Sequence, residues 1–535
     1  MYHMGKYVNP DNKAFHRIVK TGKYVDKSGM IEFTNNIIND LRPLICFSRP
    51  RRFGKSIAAH MLTAYYSKGC DSKEIFSGLK IAGLPTFEDE LNKNTVIYID
   101  VQWVNSLAKG RGLEKEIVSF MQEQVIEELL EIYPNEIDEG ETSLAGALFS
   151  IYSATDEQFI VIIDEWDCLF REAKDNQSLQ DDYVNFLRGM FKGGAADAFI
   201  KLAYITGILP IKKYGTQSAL NNFDEYTMVE PFTLAEYVGF TEEEVRILCE
   251  QSNMDFEECK RWYDGYSFDD VHSVYSPNSV INAVTKRKFG SYWTKTETYD
   301  SLRFYIDTNF DEVRTAILSM LSGEMIEIDP ETFQNDMVNI HNRDDVLTLL
   351  VHLGYLAYDG NDRAVYIPNE EVRAEFIRAT KNSSREELSK VIRNSDALLK
   401  ASLRMDGDEV AERIEMAHQY YANVKFYNNE QALRMVIMLA YVSRVDDYCD
   451  FQELPSGKGY ADILFFPKKN SKKPALLIEL KWNHSAGGAI EQIKEKGYCD
   501  AISGYGGDIL LVGINYDEKE KVHTCQIEKL EYNHS

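Results

Sequence analysis

Apolar and polar stretches alternate along the first part of the chain, up to about residue 250, with the spacing of strands and helices in turn. Compact apolar runs predict buried strands over residues 44–47, 96–101, 159–163 and 200–206. Apolar positions at helical spacing predict helices within 113–133 and 144–152 and around 182–191. Strands that alternate with helices build a parallel sheet covered on both faces. The pattern therefore predicts an α/β fold for this part of the chain.

From about residue 251 to 395 the pattern becomes mainly helical. A helix predicted at 345–353 is followed by apolar segments at 355–358 and 364–367, with a turn between them. A helix followed by a hairpin is typical of a winged-helix-like unit. We interpret this part as a connector between domains, with contact to DNA as the alternative.

From residue 396 onward, predicted helices precede predicted strands at 460–466 and 475–481. This order predicts a second α/β domain. A chain of 535 residues is too long for one hydrophobic core. We therefore predict three domains, 1–250, 251–395 and 396–535.

The segment from residue 44 to 56, LICFSRPRRFGKS, joins a predicted strand to an amphipathic helix through a short turn. In this order, consecutive loop N–H groups and the helix N-terminus point at one place, where a polyphosphate can replace water. Lys55 would reach the β- and γ-phosphates of ATP, and Ser56 would bind Mg²⁺. The generic pattern has a glycine where Arg49 stands, so the opening turn needs a conformation that a side chain tolerates. The other loop residues of this predicted site are Arg52, Phe53 and Gly54.

Two acidic residues, Asp164 and Glu165, follow the apolar run 159–163. Ligands bind at the carboxyl ends of parallel strands, so Asp164 suits the Mg²⁺ shell and Glu165 suits activation of the attacking water. Thr206, at the end of another predicted strand, would sense the γ-phosphate; the alternative is a structural strand-end threonine. For Asp164 and Glu165 the alternative is an ordinary turn between a strand and a helix, with the two acids as a solvated acidic cap.

A second set of polar residues interrupts the apolar strands near the C-terminus. Glu479 and Lys481 are two residues apart and project from the same face of a strand, and Asp462 can join them if the two strands pair. Two carboxylates that hold Mg²⁺ or Mn²⁺, with a lysine beside them, suit phosphodiester hydrolysis. Glu430 is a candidate further metal ligand; the alternative is a favourable acid in the first turn of a helix. An acid-x-lysine pair alone is weak evidence for a catalytic site, because such pairs arise by chance in a chain with 85 acidic and 59 basic residues.

Composition narrows the classes of function. The net charge of −26 argues against nucleic-acid binding over the whole surface but not against local basic clusters such as residues 286–288. Eight cysteines without a C-x-x-C pair indicate neither a zinc site nor a disulfide framework. No apolar run approaches the length of a membrane span, and the first residues lack a signal-peptide core. We therefore expect a cytoplasmic protein without membrane contact.

Taken together, these residues resemble a bacterial family in which an AAA-ATPase-like domain is fused to a C-terminal PD-(D/E)XK nuclease superfamily domain. The motifs that carry the resemblance are residues 22–27, 49–56, 164–165, 262–266 with Tyr275 and Pro277, Asp462, 479–481 and Gln492. The resemblance implies a P-loop NTPase parallel sheet, a helical connector and a restriction-endonuclease-like α/β domain. It also implies a nucleotide site at Lys55, Ser56, Asp164 and Glu165, and a nuclease core at Asp462, Glu479 and Lys481.

We therefore expect a protein that binds and hydrolyses ATP and couples this to metal-dependent cleavage of nucleic acid, with DNA as the expected substrate. The alternative is a signalling or scaffold ATPase whose nuclease-like domain only binds nucleic acid or a protein partner. The acidic net charge favours the alternative, whereas Asp462, Glu479 and Lys481 favour the enzyme. Assembly into a homo-oligomer is compatible with both interpretations.

Overall fold

The structure is a computed structural model that describes residues 4–38, 40, 43–211, 220–268, 271–293, 302, 311–334, 340–381, 386–421, 430–456, 459–468, 471–495 and 507–530. The chain divides into two compact units. The first unit comprises Met1–Trp293 and Glu327–Pro368, and the second comprises Thr294–Ile326 and Asn369–Ser535. The division into three domains at 250 and 395 stays a prediction.

The described residues form helices and strands with the following bounds. The α-helices are α1 Lys13–Lys20, α2 Gly29–Ile37, α3 Lys55–Tyr66, α4 Lys73–Phe76, α5 Val101–Gly110, α6 Ile117–Ile132, α7 Leu144–Thr155, α8 Cys168–Glu172, α9 Gln177–Phe191, α10 Gly194–Phe199, α11 Glu242–Ser252, α12 Phe256–Tyr263, α13 Pro277–Lys286, α14 Asp311–Ser322, α15 Arg343–His352, α16 Glu370–Lys381, α17 Glu386–Leu403, α18 Gly407–Tyr421, α19 Glu430–Ala440 and α20 Ala486–Glu495. The strands are β1 Leu44–Ser48, β2 Thr95–Asp100, β3 Phe159–Asp164, β4 Ile200–Gly207, β5 Asp224–Tyr226, β6 Phe240–Thr241, β7 Tyr266–Phe268, β8 Val271–Tyr275, β9 Ile326–Glu327, β10 Ala357–Asp359, β11 Ala364–Tyr366, β12 Tyr448–Ser456, β13 Gly459–Pro467, β14 Ala475–Trp482, β15 Ile509–Asp517 and β16 Val522–Lys529.

A parallel five-stranded sheet with the order β2-β3-β4-β1-β5 is the centre of the first unit. Every residue of β3 is buried, as its apolar sequence predicts for a strand covered on both faces. The register aligns Asp100 with Asp164, Asp164 with Thr206, and Thr206 with Phe47. The predicted α/β fold is confirmed, and the carboxyl ends of four strands meet at one edge.

One boundary in this sheet differs from the prediction. Val101 was expected to end a strand, but β2 ends at Asp100 and α5 begins at Val101. The Asp100 side chain accepts a hydrogen bond from the backbone N–H of Trp103, which satisfies a first-turn donor of α5. The cap therefore ends the strand, although the apolar run continues.

The predicted helix and hairpin of the connector are present in the first unit. Helix α15 precedes the antiparallel pair β10 and β11. Nearby, Gly265 has a φ of 109°, and a Cβ there would lie 2.0 Å from the carbonyl oxygen of Pro368. Only glycine fits this turn, as the sequence W-Y-D-G-Y suggested.

The second unit contains a mixed sheet with the order β12-β13-β14-β15-β16, in which only β14 and β15 run parallel among the described pairs. Alternation along β14 sends Ile478 and Leu480 to the face that packs on α17, α18 and α19. Leu477 lies on the other face, against α20. Glu479 and Lys481 alternate with Ile478 and Leu480 along the strand. Their side chains therefore lie on the same face of the sheet as Leu477, the face that packs against α20.

Gly513 is the point at which α20 approaches the sheet most closely. A Cβ at Gly513 would lie 2.2 Å from the backbone carbonyl oxygen of Ala486 in α20. We expect Gly513→Ala to lower the free energy of unfolding of the second unit by about 1–3 kcal/mol, because backbone must shift. Urea denaturation measures this loss. Gly487→Ala on the same helix, where the nearest atom is the side-chain oxygen of the exposed Gln526, is the matched control, and an equal loss in both variants would contradict the prediction.

Candidate functional site

The loop between β1 and α3 has the order strand, turn, helix that the sequence predicts. Gly54 stands before α3 with a φ of 101°, and Arg52 has a φ of 68°. Arg52 donates hydrogen bonds to the carbonyl oxygens of Tyr292 (3.1 Å) and Trp293 (2.9 Å). Phe53 packs edge-on against the ring of Tyr266. These contacts hold the loop in a fixed shape in front of the helix N-terminus, where an anion is favoured.

Lys55 lies almost fully buried beneath this loop. Its Nζ donates a hydrogen bond to the carbonyl oxygen of Pro50 (3.1 Å) and lies 3.9 Å from Oε1 of Glu165. Burial lowers the pKa of Lys55, and the carboxylates of Glu165 and Asp164 oppose this shift. The ammonium group therefore lies between the loop and the acidic pair, as a phosphate-binding lysine requires.

Asp164 and Ser56 are in direct contact at the same edge of the sheet. Asp164 is 2% exposed, and burial raises its pKa to about 6, while a hydrogen bond from the Ser56 hydroxyl opposes this shift. A hydroxyl and a carboxylate oxygen are the hard ligands that Mg²⁺ prefers. The two residues fit the metal that accompanies a bound nucleoside triphosphate.

Glu165 is held by Arg171, a residue that the sequence interpretation missed. The Arg171 guanidinium pairs with the Glu165 carboxylate and with Asp167, whose Oδ2 lies 3.0 Å from Nε. Burial alone would lower the pKa of Arg171, but Asp167 and Glu165 outweigh it and raise that pKa. The same Asp167 oxygen accepts hydrogen bonds from the backbone N–H groups of Ile208 (3.1 Å) and Leu209 (2.9 Å). The i, i+4 spacing of Asp167 and Arg171 was the available signal.

Thr206 is fully buried at the end of β4. Its hydroxyl donates a hydrogen bond to the carbonyl oxygen of Phe47 in the neighbouring strand (2.9 Å). This contact fits the structural alternative, since the hydroxyl is used within the sheet. Sensing of the γ-phosphate by Thr206 stays a prediction.

Arg49, which replaces the first glycine of the generic loop, anchors the loop to the sheet. Its guanidinium lies between the rings of Phe47 and Phe268, 4.7 and 4.8 Å from their centroids. It donates a hydrogen bond of 2.6 Å to the carbonyl oxygen of Thr227, and burial lowers its pKa to about 9. The backbone of Arg49 avoids the left-handed region, so a side chain is tolerated here.

His352, at the end of α15, is fully buried against Phe333, and burial together with the charge of Arg49 lowers its pKa from 6.5 to about 3. Because only the unfolded chain then binds this proton between pH 6.5 and 3, stability falls as the pH falls below 6.5. When the pH is lowered from 7.5 to 5.0, we expect the free energy of unfolding of the wild type to fall by about 2 kcal/mol more than that of His352→Phe. Urea denaturation at both pH values measures this double difference. Equal losses in the two proteins would contradict the prediction.

In the second unit, the structure brings Asp462, Glu479 and Lys481 together. Ile463 on β13 pairs with Ile478 on β14, so Asp462 and Glu479 each lie one residue beyond this pair. Oδ2 of Asp462 accepts a hydrogen bond of 2.8 Å from the backbone N–H of Leu480. The two strands therefore pair, which is the condition for Asp462 to join Glu479 and Lys481.

Glu479 is the most buried group of this cluster, with 2% exposure. Its Oε1 lies 3.2 Å from Nζ of Lys481 and accepts a hydrogen bond from the side-chain amide of Gln492 on α20. Arg434 on α19 lies 3.2 Å from Oδ1 of Asp462. Arg434 was not anticipated, because it is 28 residues from Asp462 in the chain. Glu430 begins α19, but its side chain is outside the described residues.

Protein-family models match both parts of the chain at these two sites. Residues 12–216 match the family described as "Predicted AAA-ATPase". Residues 428–526 match the family described as "PD-(D/E)XK nuclease superfamily". The chain joins an AAA-ATPase-like domain to a PD-(D/E)XK nuclease superfamily domain. The AAA-ATPase-like match contains the loop and the Asp164-Glu165 pair, and the nuclease-superfamily match contains Asp462, Glu479 and Lys481.

The chain is also similar to one curated protein over nearly its whole length. It is 24% identical over 527 residues to the "Uncharacterized protein in vnfD 5'region" of Azotobacter chroococcum mcd 1, covering 93% of each chain.

Two solved structures show weaker likeness. The Aeropyrum pernix ORC2 protein, solved as ADPNP-ADP complexes, has 13% identity and a TM-score of 0.30, covering 70% of this chain and 97% of that chain. C. elegans PCH-2 has 14% identity and a TM-score of 0.22, covering 56% of this chain and 58% of that chain. Among the described residues, no helix combines the length and apolar character needed to cross a membrane.

Proposed function

We propose that this protein binds and hydrolyses ATP in its AAA-ATPase-like domain and uses the nucleotide to control metal-dependent cleavage of DNA by its nuclease-like domain. The observation that carries the nuclease half is the buried Glu479 between Lys481 and Gln492, beside Asp462. An apolar strand gains nothing in stability from a buried acid and a lysine on one face, because charges are costly to bury. A catalytic role explains their presence.

Asp462 and Glu479 would hold Mg²⁺ or Mn²⁺, since both offer carboxylate oxygens on neighbouring strands. When bound there, such a metal would supply polarisation of the phosphodiester and a lower pKa of the attacking water. Lys481 would orient that water or neutralise the negative charge that develops on the phosphate, and Gln492 would fix the rotamer of Glu479. Arg434 lies against Asp462, so metal binding would weaken that ion pair.

The nucleotide half is supported by the contacts of Lys55, Ser56, Asp164 and Glu165 at one edge of the sheet. Lys55 would leave the carbonyl oxygen of Pro50 for the β- and γ-phosphates, and Ser56 with Asp164 would bind Mg²⁺. Glu165 would orient the attacking water, and the ion pair with Arg171 would hold the Glu165 carboxylate in place. Nucleotide control requires two states of the protein that ATP stabilises differently.

A signalling or scaffold ATPase is the second candidate. The ion pair between Arg434 and Asp462 favours it, because a cation already occupies one carboxylate of the proposed metal site. The strongly acidic net charge also favours it, since it opposes tight binding of nucleic acid.

The test is cleavage of supercoiled plasmid and single-stranded DNA by the full chain, in Mg²⁺ or Mn²⁺, with and without ATP. We expect cleavage that requires the metal, responds to ATP and is lost in Glu479→Gln, which keeps the volume of the side chain but not its charge. Melting temperatures of both proteins would verify that the variant is folded. Absence of cleavage by the wild type under every condition, with ATP binding intact, would favour the scaffold.

A further inference from the structure

Glu415, His418 and His523 form a cluster in the second unit that the proposed function does not use. Glu415 and His418 lie one turn apart on α18, and His523 lies on β16. One ligand atom from each of the three residues falls within 4.8 Å of the other two. Nδ1 of His523 lies 2.6 Å from Oε2 of Glu415, and Nδ1 of His418 lies 3.9 Å from Oε1 of Glu415.

We propose that Glu415, His418 and His523 bind a Zn²⁺ ion that joins α18 to β16. Two imidazoles and one carboxylate are a ligand set that zinc takes in proteins, with the fourth position left to water or another ligand. Ligand atoms around tetrahedral Zn²⁺ lie about 3.4 Å apart, given bonds of about 2.0–2.2 Å. The two separations, 2.6 and 3.9 Å, bracket this value.

The surroundings of the cluster suit a bound ion. The His523 side chain is fully buried, and its ring packs 4.7 Å from that of Tyr516 and 5.3 Å from that of His418. Glu415 is the most exposed of the three ligands, at 34% of its side chain, which leaves an entry path from solvent. Two ligands are therefore fixed by packing, and the third can close on the ion.

This cluster is separate from the nuclease-like site. Tyr516 pairs with His523 on one side and with Trp482 on the other, and its ring contacts both. Trp482 follows Lys481 directly in β14, so their side chains point to opposite faces of the sheet. The proposed zinc ion and the proposed nuclease metal would therefore lie on opposite faces and bind independently.

The position in the sheet gives the ion a function. β16 is the last strand in the order of the sheet, so one of its sides has no neighbouring strand among those described. A metal ion that links β16 to α18 would hold this edge strand on the helical layer. Because the ion binds the folded chain, it would raise the stability of the second unit.

The test is a zinc titration of the full chain after removal of metals with a chelator. With excess Mg²⁺ present to fill the nuclease-like site, we expect the wild type to bind one Zn²⁺ per chain, and Co²⁺ in its place to give the visible absorption of a tetrahedral N/O site. Glu415→Gln and His418→Ala should weaken this binding at least ten-fold and abolish the zinc-induced rise in melting temperature, because they remove ligands. Glu415→Gln keeps volume and hydrogen bonding at a half-exposed position, so it tests the ligand without unfolding the chain.

Two controls separate this site from others. His484→Ala removes an exposed histidine of the same unit, and Asp508→Asn removes an exposed carboxylate that pairs with Lys529. Both should bind zinc like the wild type. If Glu415→Gln and His418→Ala also bind zinc like the wild type, or if the wild type binds none, the contact between Glu415 and His523 is only a hydrogen bond and the proposal is wrong. Loss of the ion in Asp508→Asn alone would also overturn it.

Discussion

Replacing Lys481 by methionine is expected to reduce DNA cleavage by about 10²–10³-fold, the loss typical of removing one group that stabilises charge in a transition state. Methionine keeps most of the aliphatic length of lysine but cannot carry the positive charge. Glu479 would keep its hydrogen bond from Gln492, so the strand should remain in place. Gel-based cleavage rates at saturating metal measure the effect.

Lys494→Met is the matched control for this experiment. Lys494 lies on α20, in the same unit as Lys481, and its exposed side chain pairs with Glu528. Surface ion pairs contribute little to stability, so this variant should cleave and melt like the wild type. Wild-type cleavage by Lys481→Met would remove Lys481 from the catalytic group, and equal losses in both variants would point to a general effect of charge.

A Lys55→Met protein is expected to bind ATP about 10–100-fold more weakly than the wild type. The estimate follows from the roughly 1.5–3 kcal/mol that a hydrogen bond to a charged group contributes. The amine is almost fully buried between Pro50 and Glu165, so few other groups can replace it. Isothermal titration calorimetry with ATP and Mg²⁺ measures the change in affinity.

The same variant tests whether the nucleotide controls cleavage. The variant is assayed at an ATP concentration that saturates only the wild type. Under this condition, Lys55→Met should cleave DNA at the rate that the wild type shows when no ATP is present. Lys73→Met, which changes an exposed lysine of α4, is the control and should respond to ATP normally. Undiminished ATP affinity in Lys55→Met would contradict the nucleotide site, whereas weak binding with a normal cleavage response would contradict only the coupling.

The structure agrees most closely with the sequence where a local pattern determines the element that forms. The apolar run of β3 followed by Asp164 and Glu165 is readable because a buried parallel strand has a distinctive composition and its carboxyl end faces ligands. Asp462 lies opposite Glu479 because the two adjacent strands pair, which was the condition for grouping these residues. In each case the residues that meet are joined by short elements of known geometry.

The sequence was less informative where distant residues meet. Glu415 and His523 are 108 residues apart, and their contact depends on which helix packs on which edge of the sheet. The eight cysteines include no C-x-x-C pair and so indicated no zinc site, because the ligands of the proposed site are imidazoles and a carboxylate. The role of Arg49 was hidden for the same reason, since its partners Phe268 and Thr227 belong to segments far along the chain.

The two arginines that hold the loop between β1 and α3 have a consequence for the thermodynamics of the proposed ATP binding. Arg49 fixes the start of the loop to the sheet, and Arg52 fixes its end to the carbonyl oxygens of Tyr292 and Trp293. A loop that is already ordered loses little conformational entropy when a ligand arrives. More of the interaction energy with ATP is then available to shift an equilibrium between two states of the protein, rather than to order the binding loop itself.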